Sequence, residues 1–255
     1  MDVLVTGASG GIGRAVSELF LERGHRVDGL DVAPATVEHA RYRHHIADVR
    51  DAASLPDLSP QVIVTCAGVQ DTSDDIDVNL KGAINVCERY AFQSVSRPRE
   101  RVRSVVNVGS SSGHNGSEFP HYAASKGGII AYTKNLALRL APQAIANSVD
   151  PGGVLTDLNR PVMDDPELWG KIMALTPLRR WATPREIAEW VYFVGVTNRF
   201  MTGQSLLVDG GEAGQRPVRV AGRRGWAQAD RVIAPASCPS FRVRVLPCRP
   251  RKTRP

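Results

Sequence analysis

Short, continuous apolar runs recur along the chain, separated by stretches in which apolar residues return every three or four positions. Val3-Leu4-Val5 is the first run, and a glycine-rich turn at 7–13 follows it. Ala15, Val16, Leu19 and Phe20 then recur at helical spacing up to Gly24, a residue type that stops helices. Further strands are predicted over 27–31, 43–47, 61–66, 104–108, 145–149 and 205–208. Helices are predicted over 75–96, over 121–141 with its end near Pro142, and from Glu186 to about Val196. Strands alternating with helices imply βαβ units, and hence an α/β protein whose doubly wound parallel sheet is covered on both faces. Such sheets bind ligands at the carboxyl ends of their strands, where every motif below falls.

Composition adds limits. Of 255 residues, 42% are hydrophobic and 23% charged, which excludes a wholly disordered chain, a collagen or a small disulfide scaffold. No apolar run approaches the roughly 20 residues that span a bilayer, and no basic segment leads into an apolar one at the N-terminus. A cytoplasmic protein without a membrane partner is therefore expected. The net charge of +6 is unevenly placed. Residues 216–255 hold eleven Lys and Arg against one acidic residue, Asp230, so the body before them is mildly acidic and nucleic acid is not an expected partner. Cys66, Cys87, Cys238 and Cys248 form no CxxC pair, so neither a metal site nor a redox dithiol is expected. Buried free thiols are the expectation for Cys66 and Cys87.

The turn Thr6-Gly7-Ala8-Ser9-Gly10-Gly11-Ile12-Gly13 lies between a strand and a helix. Glycines there let the backbone turn sharply and approach a pyrophosphate, while the helix N-terminus offers free N–H groups and a positive dipole end. Asp31 ends the second strand, where a carboxylate can bond both ribose hydroxyls of an adenosine and repel a 2′-phosphate. No basic residue stands at Val32 or Ala33, so NAD is expected over NADP. Arg14 has two readings, a phosphate contact or a solvated first-turn arginine.

Tyr122-Ala-Ala-Ser-Lys126 places a phenol and an ammonium on one helix face. A free phenol titrates near 10, too high for a base at neutral pH, and a nearby ammonium lowers that value. Ser110 follows the fifth strand, with Ser111 and Ser112 beside it, and its hydroxyl can orient a substrate oxygen. Asn79 lies mid-helix, where an Asn can leave the backbone ladder for a local water. Asp48-Val49 and Cys66-Ala67-Gly68 follow strands and can bracket an adenine. Pro151-Gly152-Gly153-Val154-Leu155-Thr156 can hold a nicotinamide carboxamide. His114 and His121 read as surface residues.

With these motifs in this order over residues 2–211, the sequence resembles the short-chain dehydrogenase/reductase family. Besides those above, the matching segments include Val78-Asn79-Leu80-Lys81-Gly82, the stretch 176–188, and Thr202 to Gly211. The resemblance implies a Rossmann fold and a proton relay of Asn79, Ser110, Tyr122 and Lys126. In it Tyr122 is the acid/base, Ser110 positions the substrate oxygen, Lys126 lowers the tyrosine pKa and binds ribose, and Asn79 holds a water. It places Gly7, Ser9, Gly11, Ile12 and Gly13 at the pyrophosphate and Asp31, Asp48 and Val49 at the adenosine. It also implies a homotetramer or dimer packed through helices 75–96 and 121–141. The chain departs from the family pattern at three places. Cys66 stands where an asparagine that braces neighbouring strands is usual, only ten residues separate Gly68 from Asn79, and Gly109 replaces a common serine. The first two also occur in some hydroxysteroid dehydrogenase/carbonyl reductases, which is a lead on substrate.

Residues 157–178 form the substrate lid in this family. Here they carry Leu158, Val162, Met163, Leu168, Trp169, Ile172, Met173 and Leu175, which either line a hydrophobic alcohol or ketone site or simply pack onto the core. One domain is expected over 1–215. The Arg- and Pro-rich segment 216–255 reads as a disordered tail, serving as a basic arm, docking on the acidic body, or extending the chain without a role. The main reading is an NAD-dependent oxidoreductase for an alcohol or carbonyl. The alternative keeps the fold as a nucleotide-sensing or nucleic-acid-associated protein that uses the tail, and the Ser110, Tyr122 and Lys126 set favours the enzyme.

Overall fold

The computed structural model describes residues 1–92, 102–117 and 119–213, so the segment 216–255 lies outside the described residues. Its strands are β1 (Asp2–Thr6), β2 (Arg26–Asp31), β3 (Tyr42–Ile46), β4 (Val62–Thr65), β5 (Ser104–Val108), β6 (Ile145–Pro151) and β7 (Ser205–Val208). They form one parallel sheet in the order β3-β2-β1-β4-β5-β6-β7. The order reverses between β1 and β4, and the crevice outside their carboxyl ends is where such sheets hold ligands.

The apolar runs follow from burial on both sheet faces. Val3 and Val5 of β1, with Val62 and Val64 of β4, point to one side. There they meet α1 (Gly11–Glu22) and α7 (Pro184–Tyr192) through Val16, Phe20, Ile187 and Val191. Leu4, Ile63 and Val105 point to the other side and meet α2 (Ala83–Ala91) and α4 (Pro120–Leu140) through Val86, Tyr90, Leu136 and Leu140. The helix ends follow local chemistry. α7 starts with a capping box between Thr183 and Glu186 and has proline in its first turn. α4 likewise has Pro120 at its start.

Two of the expected helices differ in detail. The one predicted from 75 enters as a π-helical turn, Ile76–Gly82, before continuing as α2, and its residues 93–96 lie outside the described residues. The one predicted from Glu186 begins two residues earlier and ends in a second π-helical turn, Phe193–Thr197. Between β5 and α4 lies the single turn α3 (Ser112–Asn115). The expected lid contains α5 (Arg160–Met163) and α6 (Pro166–Leu175), neither of which buries a residue.

Among the described residues no helix is long and apolar enough to cross a membrane, and no group of three or more His, Cys, Asp or Glu could hold a metal ion.

Candidate active site

The loop between β1 and α1 is built for close backbone approach. Gly7 has φ +67°, and a Cβ there would lie 2.8 Å from the backbone of Ala67. Gly11, at φ +49°, faces the Thr156 methyl. α1 begins at Gly10 with no side-chain cap and no acidic residue in its first turn, so its N-terminal N–H groups and dipole stay available to an anion. This cradle fits a dinucleotide pyrophosphate. Gly7→Ala is expected to cost on the order of 3 kcal/mol, from a left-handed backbone plus the collision with residue 67. A thermal melt should fall by roughly 6–12 °C; an unchanged Tm would show that the loop relaxes freely.

Asp31 is held by two backbone donors. Ser9 N–H donates to Oδ2 at 3.0 Å and Ala33 N–H to Oδ1 at 2.9 Å. Ser9 is thus tied to Asp31 and, through its hydroxyl, to the Ala33 carbonyl. Arg14 pairs with Glu18 at 2.8 Å on the exposed face of α1, which matches its reading as a first-turn surface residue. The Asp48 carboxylate is gripped by Arg50, which holds it below the usual carboxylate range, and Arg50 reaches on to Asp74. Val49 is buried beside Gly82, and its carbonyl accepts from Asn85. The Ala67 N–H, with that of Cys66, donates to the Thr6 hydroxyl at 3.0 Å.

The candidate reacting groups come from three elements. Lys126 on α4 is 7% exposed, donates from Nζ to the Val108 carbonyl at 3.1 Å, and lies 5.6 Å from the Tyr122 ring centre. Burial lowers the lysine pKa, while Asp150 and Asp75 are among the groups that raise it. Ser110 follows β5, and its hydroxyl meets Ser112 Oγ and accepts from Ser112 N–H, both at 3.2 Å. Asn79 sits within the π-helical turn, a local break of the helical ladder common at functional sites. Its carboxamide pairs with both backbone groups of Val69, at 2.8 and 2.9 Å, and donates to Ser125 Oγ at 3.1 Å. A Cβ at Gly68 would lie 3.2 Å from Asn79 Oδ1 and 3.8 Å from Lys126 Nζ.

One cavity of about 420 Å³ joins these parts. Gly7, Gly11, Ile12, Gly13 and Asp31 line it together with Gly68, Ser110, Tyr122 and Lys126, and with Pro151, Gly152 and Thr156. Ser9, Asp48, Val49, Ala67 and Asn79 are not among the residues that line it. Cys87 is buried as expected, but Cys66 is only partly buried and lines the cavity. From the lid, Leu158, Val162 and Ile172 line it, while Leu168 and Leu175 face solvent. Trp169 packs edge-on against Trp181, which also lines the cavity. The lid's apolar residues therefore divide between cavity and surface, and none is part of the buried core.

Three features escape the sequence reading. In the absence of the usual asparagine at 66, Thr6 bonds the β4 end, and Asn107 on β5 bridges Thr65 at 2.7 Å and Thr133 at 2.8 Å. Trp181 reaches the cavity from outside the lid. His114, read as a surface residue, is bonded to a buried carboxylate at 2.6 Å, that of Asp150. A charged residue inside a fully parallel, buried strand was the available signal. His121 is exposed.

Known proteins resemble this arrangement. The sequence profile of a family described as enoyl-(acyl carrier protein) reductase matches residues 49–212. An uncharacterized oxidoreductase of Schizosaccharomyces pombe is 31% identical, covering 82% of this chain and 89% of that one. Carbonyl reductase family member 4 of Xenopus tropicalis is 32% identical over 81% of this chain and 95% of its own. The structure of a 4-hydroxyisoleucine dehydrogenase complexed with NADH superposes with a TM-score of 0.77 at 25% identity, covering 84% of this chain and 99% of that one.

Proposed function

Because the chain belongs to the short-chain dehydrogenase/reductase family, an oxidoreductase family that moves hydride between NAD(P)(H) and an alcohol or ketone, we propose that it is an NAD-dependent enzyme for an apolar secondary alcohol or its ketone, with Tyr122 as the acid/base. The observation that carries this reading is one cavity lined both by the glycine cradle and Asp31 and by Ser110, Tyr122 and Lys126.

A nicotinamide cofactor, when bound, would supply the hydride chemistry. The chain's own residues handle the proton. The Tyr122 hydroxyl takes the proton from the substrate alcohol during oxidation and returns it during reduction. The Lys126 ammonium favours the phenolate. The Ser110 hydroxyl, oriented by Ser112, donates to the substrate oxygen. Asn79 keeps Val69 in place, and the break in the ladder at its π-helical turn gives a water a place near Lys126. The backbone of residues 7–13 would hold the pyrophosphate, Asp31 the ribose hydroxyls, and residues 151–156 the carboxamide. Leu158, Val162, Ile172 and Trp181 give the substrate end its apolar walls. The same reading includes a homotetramer or dimer formed through α2 and α4, supported by Leu138, which is 81% exposed on α4.

The test is a titration with NADH and with NADPH, followed by nicotinamide fluorescence. NADH is expected to bind about tenfold or more tightly, a difference of at least about 1.4 kcal/mol. Tighter NADPH would mean that Arg14 leaves Glu18 for the phosphate and outweighs Asp31. Binding of neither would overturn the enzyme reading.

A further inference from the structure

β6 carries a carboxylate at a place closed to solvent. Asp150 is 0% exposed. Its Oδ2 lies 2.6 Å from His114 Nε2, and its Oδ1 has no hydrogen-bond partner. That free oxygen packs on Gly109 so tightly that a Cβ at 109 would collide with it, which gives a reason for the missing serine. A buried carboxylate is costly unless its partners are well placed, so its presence beside the reacting groups asks for a role.

The surrounding chain indicates one. Residues 109–114 wrap around Ser110. Gly109 N–H donates to the Val149 carbonyl at 2.9 Å, and Ser111 N–H to the Pro151 carbonyl at 2.8 Å. These bonds fix the backbone on either side of Ser110 to the two residues flanking Asp150. Gly113 N–H donates back to the Ser110 carbonyl at 3.1 Å. Gly113 also presses on α4, where a Cβ would lie 2.7 Å from the carbonyl carbon of Lys126. α3 is therefore held against Lys126 on one side, and the His114 ring ties its other side to β6.

We propose that Asp150 and His114 act as a latch that holds the Ser110 loop at its working distance from Tyr122 and Lys126, which makes both of them positioning residues for the reaction. This rests on the hydride-transfer reading above. The groups facing Asp150 are His114 from α3, Lys126 from α4 and the Ser148 hydroxyl on β6 itself; Cys66 and Asp75 face Lys126 from the other side. Burial pushes the Asp150 carboxyl up, and the bond from His114 is the largest influence opposing that rise. The His114 side chain remains 29% exposed, so the latch can be reached from solvent.

The test is His114→Ala in the full chain. Amide hydrogen exchange of residues 109–116 should quicken while that of the central strands does not. Turnover should fall by about ten- to hundredfold, the scale of a small misplacement of a reacting group, with NADH affinity unchanged. Added imidazole should recover part of the lost turnover by refilling the ring's place. Asp150→Asn keeps shape and an acceptor for His114, and should retain more turnover than His114→Ala. Loop exchange equal to wild type, or turnover within twofold of it, overturns the latch. So does a loss of turnover matched by an equal loss of NADH affinity without imidazole recovery, which marks a general brace. A wild-type protein that binds NADH but transfers no hydride would count against the oxidoreductase reading, while loop exchange and its reversal by imidazole would still decide the latch.

Discussion

Tyr122→Phe is expected to lower turnover by about 10³-fold while leaving NADH affinity within about twofold of wild type, since a positioned acid/base contributes about 10²–10⁴-fold. Hydride cannot leave the carbon of an alcohol productively unless the oxygen gives up its proton. Without the phenol that proton must go to water or remain on the product oxygen. Phenylalanine keeps the ring that lies 5.6 Å from Lys126 Nζ, so packing around the lysine survives. The cradle at residues 7–13 and the Asp31 carboxylate, which belong to other elements lining the cavity, are untouched. Steady-state turnover with a panel of apolar secondary alcohols, alongside fluorescence titration with NADH, reads both quantities. Turnover within tenfold of wild type would remove Tyr122 from the chemistry. A parallel loss of NADH affinity would mean that the hydroxyl serves binding instead.

Asp31→Ala should shift cofactor preference toward NADPH by about hundredfold. Two unit charges about 4 Å apart at an effective dielectric of about 20 interact by about 4 kcal/mol, nearly a thousandfold at about 1.4 kcal/mol per tenfold. Asp31 is only partly buried, so solvent screens some of that repulsion. The substitution does more than remove a charge. It leaves the N–H groups of Ser9 and Ala33, which now donate to the carboxylate at 3.0 and 2.9 Å, without their acceptor. Two unpaired donors at the ribose end are well suited to a 2′-phosphate. The ratio of dissociation constants for NADH and NADPH, measured for wild type and variant in one buffer, gives the shift directly. An unchanged ratio would mean that Asp31 does not face the ribose.

The central strands were legible because a parallel sheet buries both of their faces, so the sequence is apolar without interruption at Val3-Leu4-Val5 or Val62-Ile63-Val64, whereas the edge strand β3, Tyr42–Ile46, buries no residue. The cavity's glycines, Asp31, Ser110, Tyr122 and Lys126 were legible because each follows a strand or sits at a fixed helical spacing. The π-helical turn at Asn79 was not, since apolar spacing reports which face is buried and not which carbonyl each N–H meets. The bond from His114 to Asp150 joins residues 36 apart in sequence, and no local pattern links them. The Asn107 bridge, which ties Thr65 to Thr133, is likewise a product of strand order. The lid's short helices were hidden because their apolar residues serve a cavity on one side and water on the other, which blurs the helical period.

That the lid helices α5 and α6 bury no residue has a kinetic consequence. α6 carries its own N-cap, with Asp165 accepting from the N–H groups of Glu167 and Leu168. Its attachments are few, among them the Trp169–Trp181 contact and the Asn159 bond to the Val154 carbonyl. Lifting such a segment exposes little apolar surface that is not already wet, so opening lies at the cheap end of the protein's local fluctuations. Entry and exit of substrate then need not limit the cycle of the proposed reaction. A site gated this way admits molecules longer than its closed volume and selects among them by how well the lid settles over each one.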